Sequence, residues 1–158
     1  MDLILNNLKG LGIHLLMSVL SIILTLVGVM LSPIYSSQVI AITVAVFVYI
    51  IYLVIYLKLS NCLKLENNKR NDYMVGVLAF IVGLGIWGLS IYYSGCSINY
   101  ISESQAIYWM PYNVYIFAGW VFLYGQESAL ILLLGSLSPI ILLSVGMKIR
   151  RYKYRLNK

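Results

Sequence analysis

Residues 39–93 read VIAITVAVFVYIIYLVIYL (39–57), KLSNCLKLENNKRND (58–72) and YMVGVLAFIVGLGIWGLSIYY (73–93). Two apolar runs without one Asp, Glu, Lys or Arg flank a polar, turn-prone connector. About 20 apolar residues are what a helix needs to cross the hydrocarbon core of a bilayer. The run 39–57 is rich in Val, Ile and Tyr, which favour strands in water. In lipid, however, a lone segment satisfies its backbone only as a helix. Two further runs, 10–31 and 128–147, complete a set of four spans.

Charge supports this division. The chain is 61% hydrophobic and only 10% charged, too apolar for one soluble core of 158 residues. Its eleven basic residues fall in three places: Lys9; Lys58, Lys64, Lys69 and Arg70; and Lys148, Arg150, Arg151, Lys153, Arg155 and Lys158. Basic loops stay cytoplasmic during insertion, so four spans put all eleven on the inner face. The expected fold is therefore an all-α integral membrane protein: a bundle of four transmembrane helices in one membrane domain, N and C termini cytoplasmic. A short start (1–9), a cytoplasmic loop (58–72) and a basic tail (148–158) face inward. A fifth span at 106–124 would expel that tail and is rejected on the same ground. No cleaved signal peptide or lipidation motif is expected.

The outer segment 94–127 begins polar and then becomes aromatic. Tyr108, Trp109, Tyr112, Tyr115 and Trp120 suit the headgroup level, and Pro111 interrupts any straight helix. An interfacial or re-entrant segment is expected, either as a girdle or as an outer binding surface. Cys62 and Cys96 fall on opposite faces, so no disulfide joins them.

His14, Ser18, Ser21, Thr25, Gly28 and Ser32 are spaced by alternating fours and threes and share one face of the first span. This face reads as a helix-packing seam or, alternatively, as the lining of a solute path with His14 as titratable gate. Placing the first span at 10–31 puts His14 one turn inside the inner boundary, half solvated. Gly76, Ala79, Gly83 and Ser90 form a matching small-residue face on the third span, with Gly85 and Gly88 one step around. Tyr49 and Tyr52 need hydroxyl partners, for which the first-span stripe is the candidate, while Tyr56 reads as an interfacial anchor. Pro139 predicts a kink in the fourth span, with Ser136 or Ser138 serving the freed carbonyl of Gly135.

No catalytic residue, metal site or cofactor is expected. Nothing resembles a Walker loop, H-E-x-x-H or G-x-S-x-G, and no acidic or basic side chain lies in a span core. The expected function is a non-enzymatic accessory subunit of a membrane complex or a bacteriocin-immunity-type protein; the rival is a small transporter or channel. Expected partners are the bilayer, anionic lipids at the basic tail, and another membrane protein or a second copy through the glycine-rich third helix. Nucleic acid is not expected despite the net charge of +6. The Ile-, Asn- and Tyr-rich composition suggests a bacterial cytoplasmic membrane.

Overall fold

A computed structural model describes residues 2–31, 38–65, 69–96, 112 and 135–156, and these are helical apart from short connections. Helix α1 runs Asp2–Leu31, α2 Gln38–Leu59, α3 Val77–Tyr93 and α4 Ser138–Leu156. Two 3-10 turns, Ser60–Cys62 and Lys69–Tyr73, lie between α2 and α3. Side chains of residues 24–31 and most of 38–49 lie outside the description, and so do Thr25, Gly28 and Tyr49.

Among the described residues, two stretches, Asp2–Ile23 and Arg70–Tyr93, are long and apolar enough to cross a membrane. Only 33% and 28% of their most apolar windows are buried, and the remaining positions are half-buried or exposed. A core helix of a water-soluble domain would bury the larger share. Ile4, Leu16, Val19, Ile81, Leu89 and Tyr92 are all more than half exposed.

The helix ends differ from expectation in three places. The first helix begins at Asp2, not near residue 10, and this carboxylate complements the helix dipole. The fourth helix continues past 147 to Leu156, so most of the basic tail is helical, with Lys153 and Arg155 in its last turn. Gly76 is not inside α3 but precedes it, at φ +97°, a conformation natural only to glycine. Gly76 has no side chain to cap α3, and α1 supplies the cap instead. Asn7 Oδ1 accepts the backbone N–H of Leu78 at 3.1 Å. At the other end Ser94 Oγ donates to the Ile91 carbonyl at 2.8 Å.

Pro139 breaks the fourth helix rather than bending it. Leu137 is a turn residue, and α4 restarts at Ser138 with Pro139 in its first turn, where the missing N–H costs nothing. The carbonyl of Gly135 takes its bond from Ser138 Oγ at 2.6 Å, as expected from the sequence.

The core gathers Ile13, Met17, Tyr52, Tyr56, Leu63, Val75, Leu143 and Met147. Small residues set the helix spacing around it. Gly76, Ala79 and Gly83 face inward, as does Ser90, while Gly85 and Gly88 point outward into open space. A Cβ at Gly10 would stand 3.4 Å from the Gly76 nitrogen, so α1 meets the start of α3 backbone to backbone. Among the described glycines, Gly146 makes the closest approach. A Cβ there would collide with Ser60 Oγ and lie 2.6 Å from Ser60 Cβ.

Substituting Gly146→Ala should therefore cost about 1–3 kcal/mol by overpacking, whereas Gly88→Ala should change stability by less than about 0.5 kcal/mol. Unfolding of the purified protein in mild detergent measures both. Equal effects would mean that the α4–Ser60 contact does not set the packing.

Candidate functional site

Two clusters of polar side chains organise the molecule. The inner one follows from α1 starting at Asp2, which places His14 three turns along the helix instead of at a wet boundary. His14 is fully buried, and its Nδ1 shares a 3.2 Å hydrogen bond with the hydroxyl of Tyr56. Tyr56 is itself fully buried, so it is not the interfacial anchor its place beside Lys58 suggests. Its ring lies on the face of α2 that carries Tyr52, four residues earlier, and both reach α1. The Tyr52 hydroxyl bonds the Ser21 side chain and also donates to the Leu20 carbonyl at 3.4 Å. The expectation that the α1 stripe partners Tyr52 is met.

Tyr112 completes this cluster from the opposite side. Its ring packs on His14 with centroids 4.4 Å apart and planes tilted by 60°. Its hydroxyl donates to the Ala79 carbonyl at 2.7 Å, and its carbonyl accepts from Ser18 Oγ at 2.5 Å. Ser18 also reaches the His14 carbonyl at 3.0 Å. The ring edge fills the notch at Gly83, where a Cβ would come within 3.2 Å of it. Tyr112 is only 7% exposed, so it does not belong to an outer binding surface. A phenol whose donor and ring both find partners between α1 and α3 gains more there than at a wet boundary. The other four aromatics of that expected surface, Tyr108, Trp109, Tyr115 and Trp120, lie outside the described residues.

The described part of the expected α1 face is thus buried and occupied: His14, Ser18 and Ser21 are at most 4% exposed. Each of the three bonds a group on a neighbouring segment. Chemically this arrangement joins helices; the hydroxyls are spent on carbonyls, phenols and an imidazole.

The second cluster sits at one end of the helices, where the start of α1, residues 58–65 and 69–76, and the end of α4 converge. Asn6 is buried and pairs both ways with the Lys64 backbone, giving and receiving bonds of 2.9 Å. Lys64 Nζ lies 3.0 Å from Asp2 in an exposed pair worth little by itself. Asp72 is almost fully buried and is gripped by Arg151 through two bonds of 2.7 and 2.8 Å. This bidentate contact holds the Arg151 guanidinium above its already high ordinary pKa. Next to it, Arg150 donates to the carbonyls of Asn61, at 2.9 Å, and Leu63. Lys148 lies 4.4 Å from the centroid of the Tyr73 ring. Sequence reasoning missed all of this, because nothing local links Asp72 to an arginine 79 residues away.

Cys62 and Cys96 are both free and exposed. Cys62 adjoins Asn61 at the polar end, and Cys96 follows the far end of α3.

The two halves of the Asp72–Arg151 pair should respond unequally. Arg151→Gln strands a buried carboxylate and should cost about 3 kcal/mol or more. Asp72→Asn releases an arginine that can turn to water and should cost less. Denaturation of both variants in detergent checks the order, and the reverse order would contradict this geometry. At the inner cluster, Tyr112→Phe should cost about 1 kcal/mol for its one lost bond. Tyr112→Ala should cost about 3–5 kcal/mol, and a cost below about 1 kcal/mol would mean that the ring does not fill the core. Comparison with known protein families, curated proteins and solved structures gives no match for this chain.

Proposed function

We propose that this chain is a four-span protein of the cell membrane, with both ends and the 58–72 loop cytoplasmic, which acts without catalysis. Its role is that of an accessory protein: a subunit of a larger bacterial membrane complex, or an immunity-type protein that intercepts a membrane-active agent. One observation carries the choice of accessory protein over channel. The described part of the polar face of α1, which the sequence offers as lining for a solute path, is filled by Tyr52, Tyr56 and Tyr112 and spends its hydrogen bonds internally.

Membrane residence is supported by the outward-facing apolar surface of α1 and α3. It is also supported by the gathering of Lys58, Lys64, Arg70, Lys148, Lys153 and Arg155 at one end of the helices. These segments are tied to each other by the Asn6–Lys64 and Asp72–Arg151 bonds. That is the arrangement the distribution of basic residues demands of an inner face.

The partner surface we assign is the exposed side of α3. Ile81, Gly85, Gly88, Leu89 and Tyr92 share that side, and Gly85 and Gly88 meet nothing within 4 Å. Small residues between large ones let a second transmembrane helix approach closely.

The Gly85→Leu/Gly88→Leu double variant should insert and fold normally yet lose about tenfold or more of any membrane protein that copurifies with the wild type, since a blocked helix contact of roughly 1.4 kcal/mol is tenfold in affinity. Liposomes containing the purified chain should carry no solute flux. Flux that disappears in a folded Ser21→Leu variant would overturn this reading in favour of a transporter.

A further inference from the structure

Between α2 and α4, at the polar end, runs a groove of about 250 Å³ that no described segment fills. Val54 and Leu57 line it from α2 and Ile149 from α4, while Gly146 forms its floor. Three cations stand along its outer part: Lys58, Arg150 and Lys153. The gradient runs in one direction. On α2 the apolar Val54 lies one turn before Lys58; on α4 Gly146 and Ile149 precede Lys153 by two turns and one. An occupant must therefore be apolar toward the helix middles and anionic toward the helix ends.

Among the described residues no carboxylate pairs with these three charges. The two ion pairs among the described residues, Lys64–Asp2 and Arg151–Asp72, consume both described carboxylates of this end. Lys58 and Lys153 are exposed and meet no acidic partner among the described residues. Arg150 is held in place by two neutral carbonyls, which orient its guanidinium without cancelling its charge. A fixed cation together with two long, adaptable ones on the same groove suits a phosphate that presents several acceptor oxygens.

We propose that this groove is a site for one anionic phospholipid, its phosphate among Lys58, Arg150 and Lys153 and an acyl chain along Val54, Leu57 and Ile149. The inference rests on the membrane reading above and deepens it, replacing a diffuse attraction of the basic tail by a defined place. Basic pockets between helices on the cytoplasmic side recognise such headgroups through the same combination of charge and adjacent apolar surface.

The test uses the full chain reconstituted in phosphatidylcholine vesicles with and without phosphatidylglycerol, then extracted and weighed by native mass spectrometry. The wild type should retain a phosphatidylglycerol molecule in preference to phosphatidylcholine. Lys58→Gln/Lys153→Gln should lower that retention about tenfold or more. Lys9→Gln/Arg155→Gln removes the same charge from exposed positions outside the groove and should retain lipid as the wild type does. Equal loss in both double variants would show diffuse electrostatics and overturn the proposal. So would loss in neither, or displacement of the lipid by inorganic phosphate. The two levels separate cleanly. A chain washed off the vesicles by alkali defeats the membrane reading and the groove together. A chain that stays, with Lys58→Gln/Lys153→Gln still holding its lipid, defeats the groove alone.

Discussion

A carboxylate that is almost fully buried must have a cation held against it, and at Asp72 that cation is Arg151. This pair joins the segment before α3 to the last helix and thereby decides where α4 can run. Once Arg151 is placed, Arg150 falls over the carbonyls of Asn61 and Leu63, and Gly146 comes down on Ser60. The contact between α2 and α4 follows, and with it the groove lined by Lys58 and Lys153. Asn6 and Asn7 complete the junction by binding Lys64 and capping α3. Three basic segments, mutually repulsive on charge alone, are thus brought to one end through two aspartates, two asparagines and a few backbone carbonyls.

Deeper between the helices the same rule operates with neutral groups. On α1 the buried side chains of His14, Ser18 and Ser21 are tolerated because each finds a partner. His14, Ser18 and Ser21 on α1 serve Tyr56, Tyr112 and Tyr52 in turn. These bonds cross between segments far apart in sequence, so they fix which helix faces meet as well as adding stability. Apolar side chains alone would leave rotation of the helices weakly specified, since one leucine face packs much like another.

Much of this was legible in the chain itself, and the reasons are periodic. Helical spacing of small residues identified Ala79, Gly83 and Ser90 as an inward face, and spacing of polar residues identified the seam on α1. The need of a deep phenol for an acceptor linked Tyr52 to that seam. What escaped depended on long-range placement. His14 reads as a boundary residue because Asn6, Asn7 and Lys9 look like a wet end, and Tyr56 because it stands beside Lys58; in fact Asn6 and Asn7 are bonded to Lys64 and Leu78 within an already helical segment. Tyr112 read as one of several surface aromatics, since its composition cannot reveal that Gly83 leaves room for its ring. Pro139 signalled a disturbance correctly, but whether a proline kinks a helix or restarts one depends on the residues before it.

The central claim is that the basic end of these helices is the cytoplasmic face of a membrane protein, and the two exposed cysteines report on it directly. Cys62 lies at that end and Cys96 beyond the opposite end of α3. A membrane-impermeant maleimide applied to intact cells, with Cys62→Ser and Cys96→Ser variants to assign the signal, should label Cys96 at once and Cys62 only after permeabilisation. Labelling of Cys62 from outside, or of both cysteines from the same side, would contradict the account.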